Sequence, residues 1–267
     1  MRKGQILLSV FLAVFVAFIA ATTFNAQQVA ANATNPIAPM TLTVDHSSRL
    51  NTSQYPVKTI NAEAGNVSAL TVAGFSATKA WQGYYGNVSG TLVLKDEENY
   101  TFYDWTETEP KGEIYASPNN TVIWSGIACF NMTANYSLTG ELNETVVETM
   151  YNIDTTDSDG LAETFNVTTH PAFQVGDTPI AVNTCPATSM YVNSAYQTAS
   201  FHQVLLNGGG GTTMVFTSII ENDATDVDTD KTGFNGQEMD FQMLVIEDGH
   251  DGQEDASTPY YFWIEIE

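Results

Sequence analysis

Residues 204–216 read VLLNGGGGTTMVF, two apolar runs separated by four consecutive glycines. Short runs of branched and aromatic side chains are typical of β-strands, and glycine supplies the backbone freedom that a tight chain reversal needs. The segment therefore predicts a β-hairpin whose strands are residues 204–206 and 214–216.

The same strand pattern recurs along most of the chain. It appears at residues 40–44, 90–94, 100–105, 121–124, 239–245 and 260–266. Turn-forming residues at 117–120 lie between apolar runs at 113–115 and 122–124, which predicts a second hairpin. One stretch, residues 141–150, has the four-residue apolar spacing of a short helix. We therefore expect an all-β fold, a β-sandwich built as one large unit or two coupled ones.

Composition divides the chain into four regions. Residues 1–31 are a hydrophobic leader, expected to be helical, that serves as a signal peptide or a membrane anchor. Residues 32–39 have the composition of a linker. Residues 40–150 are expected to form a glycosylated β-sandwich region, and residues 151–267 a second β region tightly coupled to it.

The leader combines Arg2 and Lys3 with an apolar run from residue 6 to residue 21. Export signals have this order of basic and apolar segments, and the run is intermediate in length between a signal-peptide core and a spanning helix. Three interpretations remain open: cleavage near Ala31 or Ala33, cleavage after Gly4, and retention as an anchor. Each places the rest of the chain outside the cell or at its surface.

The string Arg2-Lys3-Gly4-Gln5 ahead of an apolar stretch resembles the class III signal of archaeal type IV pilins and archaellins. The resemblance implies a cut after Gly4 and an apolar helix that is kept as the polymerisation stalk. The Glu that bacterial pilins carry five residues into the mature helix has no counterpart here. The body of the chain resembles secreted archaeal surface proteins.

Half of the asparagines, ten of twenty, lie in Asn-x-Ser/Thr sequons. This tripeptide is the acceptor for N-linked glycans on surface segments of exported proteins. Because none of the ten lies after residue 166, we hypothesise that residues 173–267 contain a glycan-free contact surface, although a region folded inward would give the same pattern. The sequon asparagines are Asn32, Asn51, Asn66, Asn87, Asn99, Asn119, Asn131, Asn135, Asn143 and Asn166.

The formal net charge of −23 restricts the partners. Such a field repels phosphate backbones and anionic lipid, so we expect no nucleic-acid partner and membrane contact only through a retained leader. The candidate partners that remain are further copies of the same chain, another surface protein, or a glycan.

Cys129 and Cys185 are the only cysteines. In an exported chain an even pair is most simply one disulfide. The sequence therefore predicts that they are bonded.

Acidic loops are the candidate metal sites. Calcium is bound by six to eight oxygen ligands, and alternating aspartates in a flexible loop supply them. The loop at residues 223–230 departs from an EF-hand, because Lys231 and Gln237 stand where that motif has Gly and Glu. Calcium binding and simple solvated charge both remain open, and no other cofactor is expected. The candidate ligands are Asp226, Asp228, Asp230, Asp154, Asp157 and Asp159.

Enzyme motifs are missing: there is no nucleophile elbow, no zinc-protease motif and no phosphate-binding glycine loop, and the four histidines are dispersed. We expect an exported, N-glycosylated, non-enzymatic cell-surface structural protein, a subunit of an extracellular filament or surface lattice. The apolar alternation at residues 40–44 suits addition to a neighbour's open sheet edge.

Two alternatives remain. Aromatic clusters lie at residues 81–85 and 260–263. Their rings either fill a core or stack on sugars. If they stack on sugars, the chain is a secreted carbohydrate-binding or adhesion module, assisted by calcium. A secreted glycoside hydrolase needs only two suitably spaced carboxylates among the 31 acidic residues.

Overall fold

The computed structural model describes residues 35–50, 55–107, 110–133, 140–221, 231–249 and 257–266. Its regular structure consists mainly of β-strands paired in sheets, with few and short helices. The expected all-β fold class is therefore confirmed. The predicted leader helix lies outside the described residues. Within these ranges no helix has both the length and the apolar character needed to cross a membrane.

The strands and helices have the following bounds. Six or seven residues form β1 (Trp81–Gly86), β2 (Gly90–Lys95), β3 (Thr101–Glu107), β4 (Gly112–Ser117), β11 (His202–Asn207), β12 (Met214–Ile219), β13 (Phe241–Ile246) and β14 (Tyr261–Ile266). Shorter strands are β5 (Ala128–Cys129), β6 (Phe173–Val175), β7 (Thr178–Ile180), β8 (Ala187–Ser189), β9 (Tyr191–Val192) and β10 (Ala195–Tyr196). The helices are α1 (Glu144–Met150) and α2 (Leu161–Thr164), and Phe234–Gly236 forms a 3₁₀ turn.

A six-stranded antiparallel sheet occupies the centre of the fold, in the order β14-β4-β12-β11-β5, with β8 also pairing with β11. The glycine-rich turn joins β11 to β12, and Leu205 stands opposite Phe216. The hairpin predicted from residues 204–216 is thus confirmed.

Both faces of the central sheet are buried, because successive side chains of a strand point to opposite sides. Leu205 and Phe216 belong to the core on one face, together with buried side chains of α1, α2 and β13. Val204, Leu206 and Val215 belong to a second core on the other face, with buried side chains of β6, β7 and β8. A sheet covered on both sides explains why β4, β11 and β12 are buried along almost their whole length.

Two-stranded sheets surround this centre. One pairs β1 with β13, in a register that runs from Trp81 opposite Ile246 to Gly86 opposite Phe241. The others pair β2 with β3, β6 with β7, and β9 with β10. The short helix predicted within residues 141–150 is confirmed as α1.

Two strand predictions are wrong. No strand forms at residues 121–124, so the hairpin predicted across residues 117–120 does not exist, and β4 pairs instead with β12 and β14. A strand buried on both sides needs hydrogen-bond partners along both edges, and here these come from distant parts of the chain. Residues 40–44 also form no strand, because nothing in the described part of the chain pairs with them.

Cys129 and Cys185 form a disulfide with a Cα–Cα distance of 4.9 Å, as predicted. Cys129 lies on β5 at one edge of the central sheet, where it stands opposite Leu206 of β11. The bond closes a loop with a sequence separation of 56 residues. In the chain-entropy description, a loop of that size stabilises the folded state by about 4 kcal/mol.

Candidate interaction surface

Residues 40–79, called the arm below, contain an unusual amount of exposed apolar surface. In the parts that the structure describes, 40–50 and 55–79, no residue lies in a strand or helix, and every residue except Ala77 is exposed. The large exposed hydrophobic side chains of the arm are Met40, Leu42, Val44, Leu50, Tyr55, Val57, Ile60, Val67, Leu70, Val72 and Phe75.

The first apolar side chains of the arm, at residues 40–44, follow the alternation of a β-strand. Met40, Leu42 and Val44 are separated by single threonines, and Met40 is 96% exposed. Farther along, the chain reverses where the amide of Asn66 donates to the carbonyl of Glu63 at 3.3 Å. Strand patterning without a strand partner indicates a segment whose pairing partner lies outside the described chain.

The rings of Tyr55 and Phe75 meet in an edge-to-face contact, with centroids 5.2 Å apart. Otherwise the apolar side chains of this part of the arm lie in water, and Val57 is 90% exposed. Burying one such side chain is worth roughly 1.5–3 kcal/mol, so covering the arm would release a large free energy. Contiguous exposed apolar surface of this kind marks an interaction site or a hazard of aggregation.

The hairpin of β2 and β3 is exposed in the same way. Leu92, Leu94 and Phe102 all lie on the surface, and the rings of Tyr103 and Trp105 contact each other at a tilt, with centroids 4.6 Å apart. A hairpin of two strands is marginal on its own in water, so this one also gains from being covered.

Charge divides the arm from the rest of the chain. Residues 35–79 contain three basic residues (Arg49, Lys58 and Lys79) and two acidic ones (Asp45 and Glu63), which gives 3 − 2 = +1. Residues 80–267, called the body below, contain the other 29 acidic residues and three lysines, which gives 3 − 29 = −26. Two copies of the body therefore repel each other, whereas the arm does not share that repulsion.

The three described aspartates predicted as metal ligands all accept hydrogen bonds, two of them within their own loop. Asp154 accepts from the amide of Thr156 at 3.1 Å, and Asp157 accepts from the amide of Asp154 at 2.8 Å. Asp159 accepts from the hydroxyl of Thr78. Asp226, Asp228 and Asp230 lie outside the described residues. Across the ranges that the structure describes, no group of three or more potential ligand side chains is brought together.

A buried carboxylate lies next to this acidic loop. Glu148 of α1 accepts a hydrogen bond from the amide of Leu161 at 3.1 Å. Burial raises the pKa of Glu148, the hydrogen bond from Leu161 opposes this, and the charges of Glu144, Glu163 and Asp157 raise it further. No sequence pattern predicts this cluster, because its members come from two helices and the loop between them.

The sequon asparagines occupy several environments. Asn66, Asn87, Asn99, Asn119 and Asn166 are exposed, and Asn131 is half-buried. Asn32, Asn51 and Asn135 lie outside the described residues.

Asn143 does not fit the expected use as a glycan acceptor. It is only 3% exposed, and its Oδ1 accepts from the amide of Val146 at 3.0 Å as the N-cap of α1. A glycan cannot be attached to Nδ2 at so buried a position without disturbing this cap.

The part of the chain after residue 166 contains both buried and exposed positions. It supplies β11 and β12, each buried at five of its six residues. Of its described asparagines, Asn207 is 7% exposed and its Oδ1 has no partner among the described residues, whereas Asn183, Asn193 and Asn235 are exposed. Burial therefore does not explain the absence of sequons there.

The aromatic clusters proposed as sugar platforms lie mainly in the cores. Trp81 packs against Phe216 with ring centroids 6.3 Å apart, and its indole nitrogen donates to the carbonyl of Asp159 at 2.7 Å. Trp263 packs against Trp124 at 5.5 Å. Packing accounts for both tryptophans.

Two cavities open among the described residues, with volumes of about 400 and 390 Å³. The first is bordered by Glu113 and His202, and the second by Met150 and Tyr261. Neither is bordered by a tryptophan, and Tyr261 is the one member of the two predicted aromatic clusters that borders either cavity.

No protein-family model, no curated protein and no solved structure matches this chain. The features that bear on function are therefore the exposed apolar arm and the difference in net charge between the arm and the body.

Proposed function

We propose that this chain is an exported, N-glycosylated structural protein of the cell surface, without enzymatic activity. In this proposal it is a subunit of an extracellular filament or surface lattice, and its strands build a layered β-sandwich. The exposed apolar arm is the observation that carries the proposal, because a segment of this kind needs a protein surface to cover it. The resemblance of the first residues to a class III signal supports an extracellular, polymerising product.

The division of charge supports assembly through the arm. The body at −26 keeps subunits apart and in solution, while the arm at +1 offers apolar side chains without adding to the repulsion. An apolar segment on an acidic protein would thus direct association to one place, whereas apolar surface spread over the body would promote disordered aggregation.

Electron microscopy of the purified mature protein tests the proposal. Fibres or sheets are expected, and dispersed single particles at all concentrations would contradict it. Mapping the mature N-terminus by intact mass decides among the three leader interpretations in the same preparation.

A matched pair of variants separates the arm from general hydrophobicity. Replacing Leu42, Val57 and Val72 by serine should abolish assembly and leave a folded monomer. Replacing Met150 and Val182 by serine should leave assembly intact, because these side chains, 60% and 56% exposed, lie on the body. Equal loss in both variants would contradict a special role for the arm.

Calcium is a separable part of the proposal. We propose that the loop containing Asp226, Asp228 and Asp230 binds calcium and stabilises the exported protein. Ligand at a hundred times its dissociation constant would add about 2.7 kcal/mol to the free energy of unfolding. The melting temperature should therefore rise between chelator and millimolar calcium, and it should not rise when the three aspartates are changed to alanine.

A further inference from the structure

The outer edge of β13 is closed by side chains. Leu244 donates its amide to Oε1 of Gln203 at 2.8 Å, and its carbonyl accepts from Nε2 of the same side chain at 2.6 Å. The carbonyl of Gln242 accepts from the hydroxyl of Ser218 at 2.9 Å. A further strand cannot pair with β13 on this side without breaking these bonds.

The outer edge of β14 is also protected. Ile37 and Ile264 exchange both of their backbone hydrogen bonds, at 3.0 and 2.8 Å. Pro36 and Pro39 flank Ile37, and proline has no amide hydrogen to donate to a ladder. The bridge between Ile37 and Ile264 therefore occupies the middle of the outer edge of β14. The prolines beside Ile37 prevent it from growing into a longer ladder.

The outer edge of β1 is open. Two backbone hydrogen bonds at the ends of the ladder show which groups of β1 face β13: the amide of Glu247 donates to the carbonyl of Ala80, and the amide of Asp240 donates to the carbonyl of Gly86. The backbone groups of the even-numbered residues of β1 therefore face β13. The backbone groups of Trp81, Gly83 and Tyr85 therefore face outward. Among the described residues, the side chain of Gln82, which donates to the carbonyl of Gly83, is the sole hydrogen-bond partner found along this edge.

β1 is also firmly supported from behind. Trp81 and Tyr84 pack against the core beneath the ribbon, and Tyr84 meets Phe262 with ring centroids 5.6 Å apart. The β2–β3 hairpin has open edges too, but its described side chains from residue 91 to residue 105 are exposed. A preorganised acceptor loses less conformational freedom on binding, which favours β1 over the hairpin.

We propose that residues 40–45 of one copy add as a β-strand to the outer edge of β1 in a second copy. This deepens the proposed function and rests on it, and it places the contact within residues 40–86 instead of the hypothesised glycan-free surface of residues 173–267. The donor and β1 both span six residues, and the donor supplies Met40, Leu42 and Val44 on one face. Its segment of the chain carries +1 against −26 on the acceptor body, so the two are electrostatically compatible. Because donor and acceptor are different surfaces, the contact is head-to-tail and repeats along a filament or closes into a ring.

Single cysteines test the contact directly, because the chain has no free cysteine of its own. One set of variants carries a cysteine at each position from 40 to 44 in turn. The partner variant is Gly83→Cys, at a position where the nearest atom to an added Cβ is 3.9 Å away. After mixing and mild oxidation, at least one pair should give a disulfide-linked dimer as the main product.

Two comparisons make the result decisive. The same arm variants mixed with Val93→Cys, on β2, should give no such product, and a dominant crosslink there would overturn the choice of β1. A chain carrying both cysteines should crosslink between molecules. A disulfide formed within one chain, with no crosslink in the mixture of single-cysteine variants, would show that the arm docks on its own β1 and would overturn the proposal.

Complementation provides a second readout. Leu42→Ser with Val44→Ser removes the donor face, and Gly83→Pro removes an outward amide without removing a bond to β13. Each variant alone should lose assembly, and an equal mixture should stop at dimers, because one intact arm meets one intact edge. The melting temperature shows whether Gly83→Pro folds; if it does not, the crosslinking result decides.

The outcomes also separate this inference from the proposed function. If fibres form, but crosslinks to Gly83 are absent and Gly83→Pro assembles like the unmodified chain, subunits assemble through another edge. If the unmodified chain forms no fibres at any concentration and the cysteine variants form no crosslinks, the proposed function itself is wrong.

Discussion

At the scale of single residues, His170 shows how one buried ring stabilises the segment that carries a disulfide. Its Nε2 accepts from the amides of Thr184 and Cys185 at 3.1 and 3.0 Å, and its Nδ1 lies 2.7 Å from the carbonyl of Pro171. These partners assign the proton to Nδ1. Only the neutral ring can accept both amides, and burial lowers the pKa of His170.

The first prediction concerns acid stability. Because the folded pKa of His170 is below the free value near 6.5, the unfolded ring binds a proton that the folded ring excludes as the pH falls. His170 therefore contributes stability above about pH 6.5 that is lost as the pH falls through its folded pKa, at up to about 1.4 kcal/mol per pH unit. Melting curves between pH 7.5 and 5 should show a steeper loss for the unmodified chain than for His170→Gln. Parallel curves would contradict this assignment.

Gln203 carries the second prediction. It is fully buried and satisfies both backbone groups of Leu244. In Gln203→Leu both groups lose their partners, and each buried unsatisfied group costs roughly 1–3 kcal/mol. Urea unfolding should show a loss in that range or above, while Gln82→Leu, at an exposed position of β1, should change stability little. A loss for Gln203→Leu no larger than for Gln82→Leu would refute the role.

At the scale of elements, α1 depends on its cap. Helices expose unpaired amides at their N-terminus, and replacing a capping Asn by Ala costs about 0.5–2 kcal/mol. We predict that Asn143→Ala lowers the free energy of unfolding by this amount and that Asn143→Asp nearly preserves it. The intact mass of the exported protein should be the same for both variants apart from the substitution itself. Loss of one glycan from the mass would show that Asn143 is modified after all.

Elements with local partners could be predicted from the sequence, and elements with distant partners could not. The turn glycines between β11 and β12 fix a local pairing, and the spacing of Leu142, Val146 and Met150 indicates the region of α1. The partners of β4 are strands more than ninety residues away, which no local pattern encodes. The arm has the alternation of a strand, but whether an alternating segment forms a strand depends on a partner. Its exposure therefore appeared only in three dimensions.

At the scale of the whole molecule, the uneven charge makes assembly depend on salt. Raising the ionic strength from 0.01 to 0.1 M shortens the screening length from about 30 to about 10 Å. Because repulsion between bodies at −26 is the main opposing force, we predict that light scattering by the assembling protein rises with salt.

A charge-reversal variant provides the control. Arg49→Glu with Lys58→Glu changes residues 35–79 from +1 to −3, and this variant should need more salt to reach the same scattering. Assembly that weakens steadily as salt is added would show that attraction, and not repulsion, dominates between subunits.

The arm runs directly into β1, with Ala80 as the residue that joins them. In a filament built by strand addition, tension enters a subunit through the backbone of its own arm and leaves through the hydrogen bonds along the outside of the same β1. The force then passes from the arm to β1 and on to the next subunit's arm, and it does not pass through the strands of the central sheet. Because β1 is held by β13 and by the core against which Trp81 and Tyr84 pack, the tensile strength of such a fibre depends on each body remaining folded.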